Sequence, residues 1–254
     1  MPLFVYFSSQ DAIPGRISIP GLIRRSDQNI LTPGERALVS LLDTAGIAPE
    51  SFCRAGQPGR LIRQLENTAG MICDEILQYW PHADGLEIRF EIQAGAARNG
   101  RGGPILRTAA YDRRHRACVP LDQGPRGLAW LFSLPACTCD LAENRTPNLI
   151  LLLDDPGQSL HGRALQDLLG FIEDRLATSY QVLYTTHSPF MVSSGDLRRV
   201  RTVIDYDNAG TRISAEISEA DEGTVLPLTI ETSTEMAQKN IVGARRLLAD
   251  GQAH

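Results

Sequence analysis

The sequence predicts an α/β fold in which helices flank a parallel sheet, joined to an N-terminal α+β portion. Two apolar strands and the helix between them carry this prediction. LILLLDDPG at 149–157 is an apolar strand that runs into turn-forming residues, and QVLYTT at 181–186 is a second strand. The intervening stretch 159–177 has leucines at helical spacing. Strand, helix and strand in this order form a βαβ unit, whose two strands run parallel.

Both strands and helices are predicted before residue 121. Thr32, Pro33 and Glu35 have the spacing of a helix cap, so a helix should begin there and end at Gly46. The remaining elements, in chain order, are a strand at LFVYF, an amphipathic helix from Pro58 to Trp80, a strand at LEIRFEI, and one or two edge-type strands within PILRTAAYDRRHRACVPLD.

A different pattern of predicted elements begins near residue 120. GPRGLAWLFSL predicts a helix entered through Gly124 and Pro125 and then stopped or kinked at Pro135. The βαβ unit follows, and its first strand has the pattern of a strand buried on both faces. VRTVID and TRISAEI predict two more strands, and a polar helix is expected near 233–243.

Composition and charge limit the classes of function. Of the 254 residues, 43% are hydrophobic and the formal net charge is -5, so a large core is possible and general attraction to DNA is disfavoured. No apolar run approaches the roughly 20 residues of a membrane span, and the first residues lack a leader-like pattern. We expect a cytoplasmic protein that does not bind a membrane and meets DNA only through partner domains.

The lysine and cysteine counts bear on two kinds of site. Only one of the 25 basic residues is a lysine, Lys239, and it does not stand in the phosphate-binding pattern G-x-x-x-x-G-K-[ST]. The sequence therefore contains no such loop. The five cysteines are scattered and only Cys137 and Cys139 are close, which favours inert thiols over disulfides or a zinc site.

Two carboxylates and a histidine follow the strands of the βαβ unit. Ligands bind at the carboxyl ends of parallel strands, and Asp154, Asp155 and His187 stand at such ends. An aspartate can hold hydrated Mg²⁺, a second carboxylate can orient a water, and a histidine can donate toward a phosphate. Each also has a plain structural interpretation, because DDPGQS consists of turn and cap residues and a lone histidine is usually structural.

LILLLDDPGQSLHGRALQDLL and QVLYTTHSPFMV together resemble a known ATPase. They are similar to the Walker B motif, D-loop and histidine switch of the ABC-like ATPase domain in the overcoming-lysogenisation-defect (OLD) nuclease family, whose pattern is close to LLLDEPG, S-L-H and TTHSPF. GPRGLAWLFSL resembles that family's signature-like helix, FVYFSSQDAIPGRISI its mid-domain strand and turn, and IVGARRLLADG the approach to its TOPRIM nuclease domain.

The resemblance implies an incomplete P-loop NTPase-like (ABC-type) sheet, with ATP and Mg²⁺ as cofactors. Residues 1–120 would be the mid-domain portion and residues 121–254 the Walker B, D-loop and histidine-switch half. Asp154 would hold magnesium, Asp155 would orient the water and His187 would act as the γ-phosphate switch. Three further residues would bind nucleotide across a dimer interface: Ser159 in the D-loop, and Arg126 and Gly127 at the start of the signature-like helix.

Three departures from the family pattern limit the expected activity. The family has glutamate where this chain has Asp155, and misplacing a reacting group by about 1 Å can cost roughly 100-fold in rate. Neither the phosphate-loop segment nor the TOPRIM domain is in the sequence. We therefore expect a partial ATPase that hydrolyses no ATP alone and needs a separate chain carrying the phosphate loop.

Other functions remain open on the sequence alone. The chain could be a non-catalytic module that dimerises through its D-loop and signature-like surfaces with intact relatives, as a homo- or hetero-oligomer. It could also be a truncated gene product. A third class is a metal-dependent phosphoesterase that uses Asp154, Asp155, His187, Asp205 and Asp207.

Overall fold

The computed structural model describes residues 2–8, 10–54, 58–81, 85–95, 103–123, 126–143, 149–192, 197–206 and 210–214. The chain forms two compact units, Met1–Thr186 and His187–His254. The expected helix near 233–243, together with Lys239 and Asp207, lies outside the described residues. The predicted division after residue 120 stays a prediction about domain organisation.

Most of the described elements belong to the first unit. Its strands are β1 Leu3–Ser8, β2 Arg16–Ser18, β3 Leu86–Ala94, β4 Pro104–Asp112, β5 Ala117–Pro120, β6 Leu149–Asp154 and β7 Gln181–Tyr184. Its helices are α1 Ile19–Asp27, α2 Pro33–Thr44, α3 Pro58–Tyr79, α4 Arg126–Glu143 and α5 Gly162–Phe171, with a short 3-10 helix Pro49–Phe52 and a π-helical turn Ile172–Leu176.

The second unit contains a small antiparallel pair of strands. β8 Thr202–Tyr206 pairs with β9 Gly210–Ser214, which confirms the two strands predicted there. Two short 3-10 turns precede them, Pro189–Met191 and Leu197–Arg199. Among the residues described in both units, no helix is long and apolar enough to cross a bilayer.

A three-stranded parallel sheet in the order β1-β6-β7 confirms the predicted α/β class. β6 pairs with β7 in parallel, and α5 lies between them in the chain, so the βαβ unit is confirmed. β1 pairs with β6 on the other side, with Leu3 opposite Leu149 and Ser8 opposite Asp154. A strand from the predicted portion 1–120 and two strands from the predicted portion 121–254 therefore share one sheet.

The burial of β6 differs from the prediction. Leu149, Leu151 and Leu153 are buried, whereas the alternate residues Ile150 and Leu152 are only half-buried. The strand is thus fully covered on one face alone. The second face of the sheet is open, because large side chains of the two neighbouring strands are exposed on it. They are Phe4 and Tyr6 of β1 and Leu183 of β7.

A second, antiparallel sheet carries the α+β part of the fold. β4 pairs with β3 along its whole length, and its other edge is shared by β2 and β5. The prediction that this stretch forms edge-type strands is therefore wrong for β4. Its burial pattern is consistent with the interior position, since Leu106, Thr108 and Ala110 are buried on one face. The alternate residues on the other face are half-buried; they are Ile105, Arg107, Ala109 and Tyr111.

The helices show where local signals were sufficient and where packing overrode them. α2 begins with the predicted cap, since Thr32 Oγ1 accepts from the Glu35 amide and Glu35 accepts from the Thr32 amide. The sequence predicted that α4 stops or kinks at Pro135, and the structure excludes the stop, because the helix runs through Pro135 to Glu143. The loss of one backbone hydrogen bond is outweighed because Trp130, Phe132 and Leu134 are buried around it.

Two further points complete the comparison with the sequence. α1 was not predicted, although Ser18 caps it by accepting from the Gly21 amide and Pro20 stands in its first turn.

Burial raises the pKa of the Cys73 and Cys137 thiols to about 11. Both therefore stay protonated near neutral pH, as expected of inert thiols.

Replacing Thr32 tests the capping interaction at the start of α2. Thr32→Ala should lower the free energy of unfolding by about 1 kcal/mol, because the Glu35 amide loses its acceptor. Thr32→Ser keeps a hydroxyl and should be close to wild type. Urea unfolding followed by circular dichroism measures both variants, and equal losses for Ala and Ser would contradict the role of the hydroxyl.

Candidate functional site

Asp154 is the last residue of β6, the central strand of the parallel sheet, and its side chain is exposed. Each of its two carboxylate oxygens accepts a hydrogen bond from a hydroxyl group. The Tyr6 hydroxyl on β1 donates to Oδ2 at 2.8 Å. The Thr185 hydroxyl, one residue beyond β7, donates to Oδ1 at 2.6 Å. The carboxylate is therefore held by one hydroxyl from β1 and one from the residue that follows β7, the two strands that flank β6.

Thr185 connects the ends of β6 and β7 through three contacts. Its amide donates to the Leu153 carbonyl at 3.0 Å, which continues the strand pairing by one residue. Its Oγ1 accepts from the Asp155 amide at 2.9 Å while donating to Asp154. One hydroxyl thus fixes both the side chain of Asp154 and the backbone of Asp155.

Asp155 turns the chain sharply away from β6. Its φ is 46°, in the left-handed region, and its side chain is half-buried. Aspartate adopts this conformation more readily than most residues other than glycine. Gly157 follows with φ 75°, and a Cβ there would lie 2.7 Å from Leu168 Cδ2 and 2.8 Å from Leu165 Cδ2. The turn is thus packed directly against α5.

The electrostatic effect of the carboxylate is visible at Tyr6. The hydrogen bond to Asp154 raises the pKa of the Tyr6 phenol above its usual range, with smaller contributions from burial and from the charges of Asp154 and Asp11. The phenol therefore remains a protonated donor near neutral pH.

The start of α4 is joined to the same region by close packing. Gly127 is buried, and a Cβ on it would lie 2.5 Å from Leu160 Cδ2 in the turn after β6. The Trp130 indole donates to the Ser8 carbonyl at the end of β1, at 2.9 Å, and its ring packs against Phe7. The start of α4 therefore contacts the end of β1 and the turn that follows β6.

The structure places the six residues predicted for the site in four locations. Asp154 and Asp155 lie together at the end of β6, and Gly127 packs against Leu160 near the exposed Ser159. Arg126 is the first residue of α4, but its side chain lies outside the described part. His187 is exposed and opens the second compact unit. The functional roles of all six remain predictions.

Sequence reasoning missed two residues of this site. Thr185 lies in TTHSPF but was not predicted as a site residue. Its hydroxyl could have indicated the site, because Thr185 directly follows a strand of the βαβ unit. Tyr6 gave no comparable signal, since it is 148 residues from Asp154 in the chain. Only the pairing of β1 with β6 brings the two together.

The donor atoms at the end of β6 suit a hydrated magnesium ion. Within the described part of the chain, no group of three or more His, Cys, Asp or Glu side chains could hold a metal. A single carboxylate with neighbouring hydroxyls fits Mg²⁺, which keeps several waters and binds through one or two carboxylates plus phosphates. The phosphoesterase interpretation stays a prediction, because Asp207 and the side chain of Asp205 lie outside the described part.

Comparison with known proteins places the two motifs in one family model. Residues 129–193, from α4 through β7 to the 3-10 turn, match the family described as "AAA domain, putative AbiEii toxin, Type IV TA system". The matched segment includes Asp154, Asp155, Ser159, Thr185 and His187. No curated protein matches the chain.

Three solved structures of SMC proteins are similar to the chain at low sequence identity. The SMC head bound to the C-winged helix domain of ScpA is 16% identical, with a TM-score of 0.43, and the match covers 77% of this chain and 52% of that one. A structure from work on ATP-driven dimerisation and DNA-stimulated activation of SMC ATPases is 15% identical, with a TM-score of 0.40, and covers 70% and 94%. The Pyrococcus furiosus SMC head with an extended coiled coil and the C-terminal domain of ScpA is 14% identical, with a TM-score of 0.39, and covers 73% and 40%. This chain thus spans about half the length of the first of these structures.

A pair of glycine substitutions tests the packing of the turn after β6. Gly157→Ala should lower the free energy of unfolding by about 2 kcal/mol, because it combines a positive φ with contacts to two leucines that are too short. Gly170→Ala in α5 is the matched control, since a Cβ there meets nothing within 4 Å. It should stabilise the helix by about 0.5–1 kcal/mol.

Thermal and urea unfolding of the two glycine variants give the required comparison. A Gly157→Ala protein as stable as wild type would show that the turn is not packed against α5 as described.

Proposed function

We propose that this chain carries the magnesium and water side of an ATP-hydrolysing site of the ABC-like, AAA-domain kind. The observation that carries the proposal is the position of Asp154. It ends the central strand of a parallel sheet, both its oxygens are bonded by neighbouring hydroxyls, and it lies within the AAA-domain match. The resemblance of LLLDDPG and TTHSPF to the OLD nuclease family supports the finer proposal that the chain belongs to a DNA-processing or defence system of that type.

Each residue in the proposed reaction has one task. Asp154 holds hydrated Mg²⁺, and that ion, when bound, offsets the negative charge of the transferred phosphoryl group. Asp155 accepts a hydrogen bond from the attacking water and orients it, and His187 donates toward the γ-phosphate. Ser159, Arg126 and Gly127 contribute to nucleotide binding at a dimer interface.

The proposed site needs a phosphate-binding loop that these 254 residues do not contain. We propose that a segment outside these 254 residues supplies it. The open face of the parallel sheet supports this, because Phe4 and Leu183 are 57% and 50% exposed. Parallel sheets are ordinarily covered on both faces, and among the described residues β7 pairs only with β6.

The same open face also favours the second candidate, a non-catalytic module that joins intact relatives. Such a module would use its surfaces to alter the activity of the partner, without its own carboxylates taking part. The two candidates therefore differ in whether Asp154 is needed in the assembled complex.

Phosphate release by the purified chain tests the incomplete site. With Mg²⁺ and ATP, the chain alone should show no turnover above the buffer rate, because nothing in the sequence grips the outer phosphates. Asp154→Asn, which keeps the shape of the side chain, serves as the matched control. Turnover by the wild-type chain that disappears in Asp154→Asn would contradict the need for a separate loop.

Mixing with a complete ABC-like relative separates the two candidates. If the chain supplies half of a composite site, it should raise ATP hydrolysis by the mixture, and Asp154→Asn should remove that gain. A non-catalytic module should change the rate equally with either version of the chain. No change with either version would argue against both functions.

A further inference from the structure

Tyr6 presents a hydroxyl to Asp154 from an otherwise apolar strand. It lies on β1 opposite Leu152 of β6, two positions before the pair formed by Ser8 and Asp154. Its side chain is 49% exposed and its hydroxyl donates to Asp154 Oδ2 at 2.8 Å. Phe4 occupies the preceding position on the same face of the strand. The face therefore accepts a ring without a hydroxyl.

The Tyr6 hydroxyl and the Thr185 hydroxyl hold different oxygens of one carboxylate. The terminal torsion of an aspartate has a broad energy minimum, so one hydrogen bond leaves the carboxylate plane free to turn. Two donors that approach from opposite neighbours remove that freedom.

We propose that Tyr6 is a positioning residue, whose hydroxyl fixes the Asp154 carboxylate in the orientation that receives hydrated Mg²⁺. This inference rests on the proposed role of Asp154 and extends it to a residue outside both recognised motifs. Partners that orient a metal ligand commonly affect metal affinity although they do not touch the metal.

A purely structural role for the hydroxyl is disfavoured by its surroundings. Both Tyr6 and Asp154 are exposed, and a hydrogen bond between exposed groups replaces bonds to water at little net gain. The sheet in this region is held by the backbone pairing of β1 and β6 along six residues. Losing the hydroxyl should therefore alter the carboxylate more than the fold.

Paramagnetic broadening by Mn²⁺ tests the proposal in the full chain, because it detects weak binding residue by residue. Mn²⁺ is added in small amounts to ¹⁵N-labelled protein, and Mg²⁺ is then titrated to reverse the broadening. In the wild-type chain, the amides of Asp155 and Thr185 should broaden selectively. Tyr6→Phe should weaken the apparent affinity about tenfold, with the remaining spectrum and the melting temperature unchanged.

Four control variants assign the effect to the hydroxyls. Tyr111→Phe removes a phenol from β4, where the Tyr111 ring packs against Arg89, and should bind Mn²⁺ like wild type. Thr185→Val should weaken binding as Tyr6→Phe does, whereas Thr185→Ser keeps the hydroxyl and should restore it. Asp154→Asn should abolish the selective broadening.

The outcomes separate failure of this inference from failure of the proposed function. Wild-type affinity in Tyr6→Phe, or a general change of its spectrum, overturns the positioning role alone. Broadening that is absent from the wild-type chain, or unchanged in Asp154→Asn, overturns the metal role of Asp154 and this inference with it.

Discussion

The end of the parallel sheet depends on one carboxylate that is bonded from two directions. Asp154 is the last residue of β6, and its side chain carries a negative charge at the end of the sheet. Hydroxyls from β1 and from the residue after β7 meet its two oxygens. The backbone pairing of β1 and β6 holds the sheet, and the two hydroxyls fix the orientation of the carboxylate at its end.

A continuous set of contacts extends this arrangement to the signature-like helix. Trp130 binds the last carbonyl of β1, and Gly127 allows Leu160 to approach the first turn of α4 closely. Because protein interiors are close-packed, a shift of the turn after β6 must be accommodated by α4. The residues that resemble a signature helix and a D-loop are therefore mechanically coupled within this chain.

Local signals predicted the parts of the fold whose causes are local. The cap of α2 and the order β6, α5, β7 follow from spacing and turn residues, and the structure has both. Distant packing decided what local signals left open or got wrong: α4 continues through Pro135 where a stop or a kink was predicted, and β4 lies inside its sheet rather than at an edge. The pair of Asp154 and Asp155 could be read from the motif, whereas Tyr6 required knowledge that β1 lies beside β6.

The backbone gives a physical reason for aspartate at position 155. Its φ of 46° favours a short polar side chain, and a longer unbranched residue such as glutamate enters that region less readily. The family glutamate would reach farther toward a water, but here it would also strain the turn that Gly157 packs against α5. Aspartate is thus the carboxylate that this turn accommodates, and its shorter reach is not by itself a sign of lost activity.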